Sequence, residues 1–452
     1  MRTILLLFLA LQAQAQMATW KNFGPSQRMV TSAKPCVDNA GFIYYLANAD
    51  TSQFPGTKWQ LNKLDSQGNL LWSKTYGNTG NFTASQIAYR NQRFYVSGDR
   101  TWNDTTRAWL SILDSSGTIL QQKYFGAGDT TVVGQDLAFN ADGEIAFLTQ
   151  IRVVRSAPSS GQVIILDTNL NVLHRHVQID TVSMVTHEIM ALPAGGWAYV
   201  ADYELAQRFD VLVTKIANDG TFLKRTQVSN GYTRGGNAID LNSKDQIVIG
   251  GEGASAFSVA FDITLSILDT NLNVLADVYV KPAATLNDAC FDMAVTPYDT
   301  YLFTGYWISP ENGDTEMIVV ESDSAGNRIH IDRFGSSATC IGSGIICDAS
   351  GEFIAAGTDF NQAPALIISI GQAKGLATEK FVQPNLEIYP NPTQGILNVS
   401  GDFETEQWEL VGPQGRLHPF HFEQSKINFE GPSGIYILQN KNNQQSLKIL
   451  KK

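Results

Sequence analysis

At 452 residues, 43% hydrophobic and 17% charged, the chain can bury a sizeable core and has the composition of a folded globular protein. A net charge of −11 with no Lys/Arg cluster argues against nucleic acid or an anionic membrane surface as partner. Few charges, 38 glycines and many Thr, Val, Ile and aromatic residues favour strands and tight turns over helices.

The N-terminus predicts an export leader over residues 1–15. Arg2 supplies a positive start, residues 4–11 form a short apolar run, and Ala13-Gln14-Ala15 is a small-x-small cleavage site that leaves Gln16 first. No later stretch approaches the ~18 apolar residues of a membrane helix, so no transmembrane anchor is expected.

From there a phrase repeats about every 50 residues, a propeller-scale period. An apolar strand closes on Leu64-Asp65-Ser66-Gln67-Gly68 and again on Leu113-Asp114-Ser115-Ser116-Gly117. At Asp167 and Asp269 the same turn continues into Leu170-Asn171 and Leu272-Asn273 instead of a glycine, and looser copies surround Asp219 and Asp323. A second phrase, a turn feeding an apolar strand, has seven copies, starting at Asn39, Asn91, Ala141, Ala194, Lys244, Tyr298 and Ala349.

Each period holds four strand-like runs; in the second they cover residues 82–89, 94–97, 108–113 and 118–125. Four antiparallel strands cannot bury both faces alone, so units must stack, and radial closure makes a β-propeller. Trp20-Lys21-Asn22-Phe23-Gly24 matches Trp72-Ser73-Lys74-Thr75-Tyr76-Gly77 but stands without the strands that precede it, while the last unit stops at residues 365–370, its third strand. The expectation is an all-β chain: a seven-bladed propeller over residues 16–370 closed by its N-terminal strand.

The repeat, best seen over residues 64–77, resembles that of exported bacterial β-propeller proteins. After a polar linker at residues 371–385, Tyr389-Pro390-Asn391-Pro392 resembles the opening of a type IX secretion (type A) sorting domain. Gly415 in a central hairpin, Gly434 and Tyr436 in a late strand, and the basic end Lys451-Lys452 continue that resemblance. It implies a small β-sandwich over residues 386–452, the type IX secretion machinery as partner, and passage through the periplasm to the cell surface or the medium.

Propeller first strands line the central channel. Aligned on their apolar phrase, they place Lys34, Gln86, Asp136, Glu188, Ala238, Asp292 and Gly344 at one equivalent position. The carboxylates of Asp136, Glu188 and Asp292 would suit a cation, or remain as solvated groups in a wet channel. No resident cofactor or dedicated metal site is expected. His174 and His176 share one strand face without a third ligand and read as a solvent-facing pair. His187 beside Glu188 is the one histidine placed for chemistry, with Asp136 as a further candidate. Cys36 with Cys347, and Cys290 with Cys340, sit on neighbouring first strands, either bridged or free.

No nucleophile elbow, phosphate loop or dinucleotide fingerprint occurs. Two readings follow: a secreted or surface-displayed binding scaffold for a glycan or protein, or an extracellular hydrolase or lyase acting at the channel mouth through His187, Glu188 or Asp136. A structural element of a surface layer is a third.

Overall fold

The computed structural model describes residues 18–23, 28–31, 34–50, 56–126, 130–152, 158–206, 208–254, 261–280, 288–309, 313–334, 339–360, 365–375, 387–389, 392–400, 408–413, 416–423, 426–440 and 446–452. Residues 1–15, expected to be an export leader, lie outside them, as do Pro390, Asn391 and Gly415. The chain is all-β and divides into two compact units, residues 1–376 and 377–452.

The first unit is a β-propeller built from antiparallel sheets that follow one another along the chain. The first comprises Arg28–Thr31, Ile43–Asp50, Thr57–Leu64 and Leu70–Tyr76, with the two-residue strand Cys36–Val37 also on Ile43–Asp50. Four-stranded sheets then begin at Asn81–Arg90 (second), Thr131–Phe139 (third), Met184–Ala191 (fourth), Arg234–Leu241 (fifth), Asp288–Val295 (sixth) and Cys340–Cys347 (seventh). The second sheet shows what the repeat predicts, except that its middle strands run longer, as Arg93–Trp102 and Thr105–Leu113.

The seventh sheet contains three strands from the end of the unit and a fourth from its beginning. Ala18–Phe23 pairs antiparallel with Ala365–Gln372, from Ala18 opposite Gly371 to Phe23 opposite Leu366. The expected pairing of the N-terminal strand with residues 365–370 is therefore present. It covers an edge that would otherwise present a row of unpaired backbone groups.

Burial explains the strand composition. Second and third strands are buried on both faces, as at residues 94–98 and 108–113, because each sheet is covered by its neighbours. Fourth strands such as Leu70–Tyr76 are largely exposed. Between the first two sheets Trp59 stacks on Tyr76 at 4.1 Å and meets Trp109 at 5.4 Å.

The repeated Asp turns are structural. Asp65 Oδ1 accepts from the backbone N–H groups of Gln67 and Asn69, at 3.0 and 2.7 Å, and Gly68 takes φ +77°. In the divergent copies Leu170 and Leu272 occupy the same left-handed region, at φ +60° and +58°. Both leucine side chains are buried, which offsets the strain of a non-glycine residue there.

The second unit holds two four-stranded sheets. One is formed by Glu387–Tyr389, Ile396–Ser400, Lys426–Asn428 and His421–Glu423, the other by Leu417–His418, Trp408–Val411, Gly434–Asn440 and Ser446–Lys451. Leu397 and Ile427 of one share an apolar cluster with Trp408, Leu410, Tyr436, Leu438 and Ile449 of the other. Tyr436 is buried and donates its hydroxyl to the Pro432 carbonyl at 2.9 Å. Lys451 donates to the Phe429 carbonyl at 3.3 Å, and the Lys452 N–H to the Thr393 carbonyl at 2.9 Å, so the basic end is part of the fold.

All four cysteines are free thiols, and neither pair considered from the sequence is bridged. Burial and the Asp38 charge hold the Cys36 thiol well above its ordinary pKa, which keeps it neutral and inert. His176 departs from the solvent-facing expectation. It is half-buried and its Nδ1 lies 3.1 Å from the Gly220 carbonyl, because the fourth strand of the third sheet packs against the next sheet's Asp turn.

Candidate functional site

Six first strands carry a β-bulge at the same place. The register shifts between Ala84 and Gln86, Gly134 and Asp136, Thr186 and Glu188, Gly236 and Ala238, Cys290 and Asp292, and Gly342 and Gly344. The position aligned from sequence is thus the residue just after each bulge, and Lys34 stands shortly before Cys36–Val37 in the first sheet. A bulge sets two residues against one on the partner strand and re-aims their side chains. It also forces the first strand close to the second: a side chain at Gly305 would place its Cβ 1.9 Å from the Ala289 carbonyl oxygen.

Five of these positions, Lys34, Gln86, Asp136, Glu188 and Asp292, line a polar cavity of about 310 Å³ together with His187. The aligned carboxylates are bonded from sheet to sheet. Asp136 Oδ2 accepts from the Ile189 N–H at 2.8 Å, Glu188 Oε2 from the Ile239 N–H at 2.8 Å, and Asp292 Oδ2 from the Ile345 N–H at 2.7 Å. Where the fifth sheet has Ala238, Asp240 substitutes from two residues on and accepts from the Val295 N–H at 2.9 Å. Gln86 donates to Asp136 Oδ1 at 2.8 Å.

Lys34 closes the set. Its ammonium lies 2.9 Å from Asp292 Oδ1 and also pairs with Glu188, joining the first sheet to the fourth and the sixth. Burial opposes its charge, yet Asp292 and Glu188 hold its pKa well above the ordinary lysine value. Burial in turn raises Glu188 and Asp292, with Lys34 acting against the rise, and burial with the Glu188 charge pushes Asp136 up to about 7. Among the described residues no group of three His, Cys, Asp or Glu is arranged to hold a metal ion. The aligned carboxylates face a lysine and backbone donors, a set that leaves a hard cation few free oxygens.

His187, the bulged residue of the fourth sheet, turns to a different partner. Its Nε2 lies 2.9 Å from Asp202 Oδ2 on the neighbouring strand, and Asp202 Oδ1 accepts from the Gly236 N–H at 2.8 Å. Asp202 is thereby held by the next sheet and in turn holds the imidazole. Glu252 of the fifth sheet lies alongside, its carboxyl pushed up to about 7 by burial and by the Asp202 charge, with His187 acting in the opposite direction. Phe291 of the sixth sheet is in the cavity wall, and its ring centroid lies 5.7 Å from that of Tyr306. Burial and the charges of Glu252 and Asp288 raise the Tyr306 hydroxyl.

Asp202, Glu252 and Tyr306 were not singled out from the sequence. A signal existed: each follows a small residue at one equivalent place on a second strand, as Ala201-Asp202, Gly251-Glu252 and Gly305-Tyr306. The first-strand alignment alone leaves them out.

A second cavity of about 540 Å³ also has Lys34 in its wall and is otherwise largely apolar, with Cys36, Ile43, Ile87, Ile346 and Ile354 among its lining residues. The first sheet's Cys36–Val37 strand is only two residues long, which leaves this space between the second and seventh sheets.

No family model and no curated protein matches the chain. Solved structures do. An ulvan lyase representing a new family of polysaccharide lyases is 12% identical with a TM-score of 0.54, over 78% of this chain and 97% of that one. A second such structure, bound to -[GlcA(1-4)Rha3S]-, is 11% identical with a TM-score of 0.53 over 78% and 97%. The β-propeller domain of the Trilobed protease from Pyrococcus furiosus is 11% identical with a TM-score of 0.44 over 79% and 99%. At such identities the likeness is one of fold.

Proposed function

We propose that this chain is an exported glycan-binding scaffold, whose propeller holds a saccharide at the polar mouth formed by the fourth, fifth and sixth sheets. The observation that carries the reading is a division of labour among the acidic groups. Asp136, Glu188 and Asp292 are committed to sheet-to-sheet bonds and to Lys34. The mouth beside them has His187 and Phe291 in its wall, with Glu252 next to the imidazole and the Tyr306 ring next to Phe291. Flat ring faces next to side-chain donors and acceptors suit a sugar, whose faces are apolar and whose edges carry hydroxyls.

In this reading the seven sheets are the blades of one ring that the N-terminal strand closes. Residues 1–15 are a leader, and residues 386–452 a β-sandwich read by the type IX secretion machinery, delivering the propeller through the periplasm to the surface or the medium. Tyr389, Pro390, Asn391, Pro392, Gly415, Gly434, Tyr436, Lys451 and Lys452 are the residues that carry that signal. Among the described residues no helix is long and apolar enough to cross a membrane. In a host with that machinery the extracellular polypeptide begins at Gln16, and deleting residues 386–452 retains it in the periplasm. Export that survives the deletion overturns the route.

A second reading, a lyase or hydrolase, is favoured by the His187–Asp202 contact at 2.9 Å with Glu252 beside it. Asp202 fixes the imidazole so that its other nitrogen can take a proton, and a Glu252 carboxyl that stays protonated to about 7 can return one to a leaving oxygen. A panel of neutral and acidic polysaccharides separates the two. Binding lost in His187→Ala and Glu252→Gln with no new chain ends supports the scaffold. New reducing ends, or the ultraviolet absorbance of an unsaturated sugar, abolished by the same changes would replace it with the enzyme.

A further inference from the structure

In the second sheet, the hairpin joining Arg93–Trp102 to Thr105–Leu113, with the adjoining strand Ile119–Phe125, breaks two local rules at once. Trp102 and Tyr124 are 46% and 38% exposed, although the same sheet buries Trp109 completely. Arg100 and Arg107 stand directly opposite each other across the antiparallel pair. Like charges at such positions destabilise a sheet, and an aromatic side chain left this exposed forgoes much of its burial energy. Among the described residues neither arginine forms an ion pair with a carboxylate, on a chain of net charge −11. Departures of this kind collect at functional sites.

The arrangement is also rigid. Asn103 and Asp104 take φ +49° and +60°, the two-residue turn whose twist matches the flanking strands. Arg100 is pinned by donating from Nε and Nη2 to the Thr79 carbonyl at 3.2 and 2.8 Å. Its guanidinium lies 4.4 Å from the centre of the Trp102 ring and 6.0 Å from that of Tyr124. Together with Asn103, Thr105 and Arg107 these side chains wall a pocket of about 390 Å³.

We propose that this pocket is a binding site for an anionic saccharide, a sugar bearing a carboxylate or a sulfate ester. Trp102 and Tyr124 offer ring faces to the C–H face of the sugar. Arg107, with the free edge of Arg100, supplies planar donors that match a carboxylate or sulfate in geometry. Asn103 and Thr105 supply neutral partners for hydroxyls. The site belongs to the second sheet and stands apart from the mouth formed by the fourth to sixth.

The test is titration of the full chain with an oligogalacturonate, a sulfated galactan oligosaccharide, and an uncharged galactan oligosaccharide of equal length. One or both acidic probes bind, the two arms telling carboxylate from sulfate, and the uncharged one binds roughly tenfold or more weakly. Added salt weakens the acidic probe. Trp102→Ala and Arg107→Gln each reduce acidic binding roughly tenfold or more while both variants still unfold in one cooperative transition, and the arginine change does not lower the midpoint. The assignment fails if neither acidic probe binds, if the uncharged probe binds equally well, or if binding survives both substitutions. Acidic binding lost only in His187→Ala would place the ligand at the channel mouth and overturn this pocket alone.

Discussion

Lys34 Nζ lies 2.9 Å from Asp292 Oδ1, tying the first sheet of the propeller to the sixth, and the same ammonium pairs with Glu188 of the fourth. One cation thus neutralises part of a ring of carboxylates whose remaining oxygens accept backbone N–H groups from the sheet that follows. The channel is braced by polar bonds where the sheets converge and by apolar packing farther out.

Lys34→Met keeps the apolar stem and removes the charge. Glu188 and Asp292 then lack their counter-ion, which costs about 3–5 kcal/mol for a buried pair. Both carboxyls have native pKa values raised above their unfolded ones. Their favourable contribution is therefore complete at acid pH and is lost as pH rises through the native value. Without Lys34 that loss is larger. Urea midpoints should show wild type and variant nearly equal at about pH 4 and widely separated at about pH 8. Equal midpoints across the range would show that the ion pair does not brace the channel.

Asp136→Ala leaves the Ile189 N–H of the next sheet without an acceptor and also frees Gln86, for an expected loss of about 1–3 kcal/mol. Asp136→Asn is milder, since its amide oxygen still accepts from Ile189. Amide exchange at Ile189 reports the bond directly: it accelerates in the alanine variant and stays close to wild type in the asparagine one.

Asp288 has both carboxyl oxygens buried without a hydrogen-bond partner among the described residues, and burial with the Asp262 charge pushes it up to about 8. It occupies the place held by Phe82, Val132 and Met184 in earlier first strands, where an apolar side chain fills the gap between sheets. The unfolded carboxyl titrates near ~3.9, so the protein loses stability as pH rises from there through the native value. Asp288→Asn cannot ionise and removes that slope, which makes it the more stable protein at about pH 9 by a few kcal/mol. An unchanged pH slope would show that Asp288 is not the buried acid responsible.

A chain beginning at residue 28 lacks Ala18–Phe23 and leaves Ala365–Gln372 as an open edge. Its thermal midpoint should fall and its light scattering rise with concentration, because an unpaired edge recruits strands from other molecules. A shortened chain that remains monomeric at the wild-type midpoint would show that the N-terminal strand does not protect the edge.

The repeat was legible because its determinants are local. Asp65 caps its own turn, strands alternate with period two, and a repeated turn anchors each first strand, so Gln86, Asp136, Glu188 and Asp292 align from sequence alone. The pairing of Ala18–Phe23 with Ala365–Gln372 could be foreseen because the repeat lacks one strand at its end and has one to spare at its beginning. Only the tertiary structure decided what those side chains do. Asp136 meets a backbone N–H 53 residues away, Lys34 a carboxylate 154 residues away, and His187 a carboxylate on the adjacent strand beside Glu252 of the next sheet. Local pattern sets which face of a strand a residue occupies. Its partner is set by the angle and spacing between sheets, which arise from packing apolar residues across every interface at once.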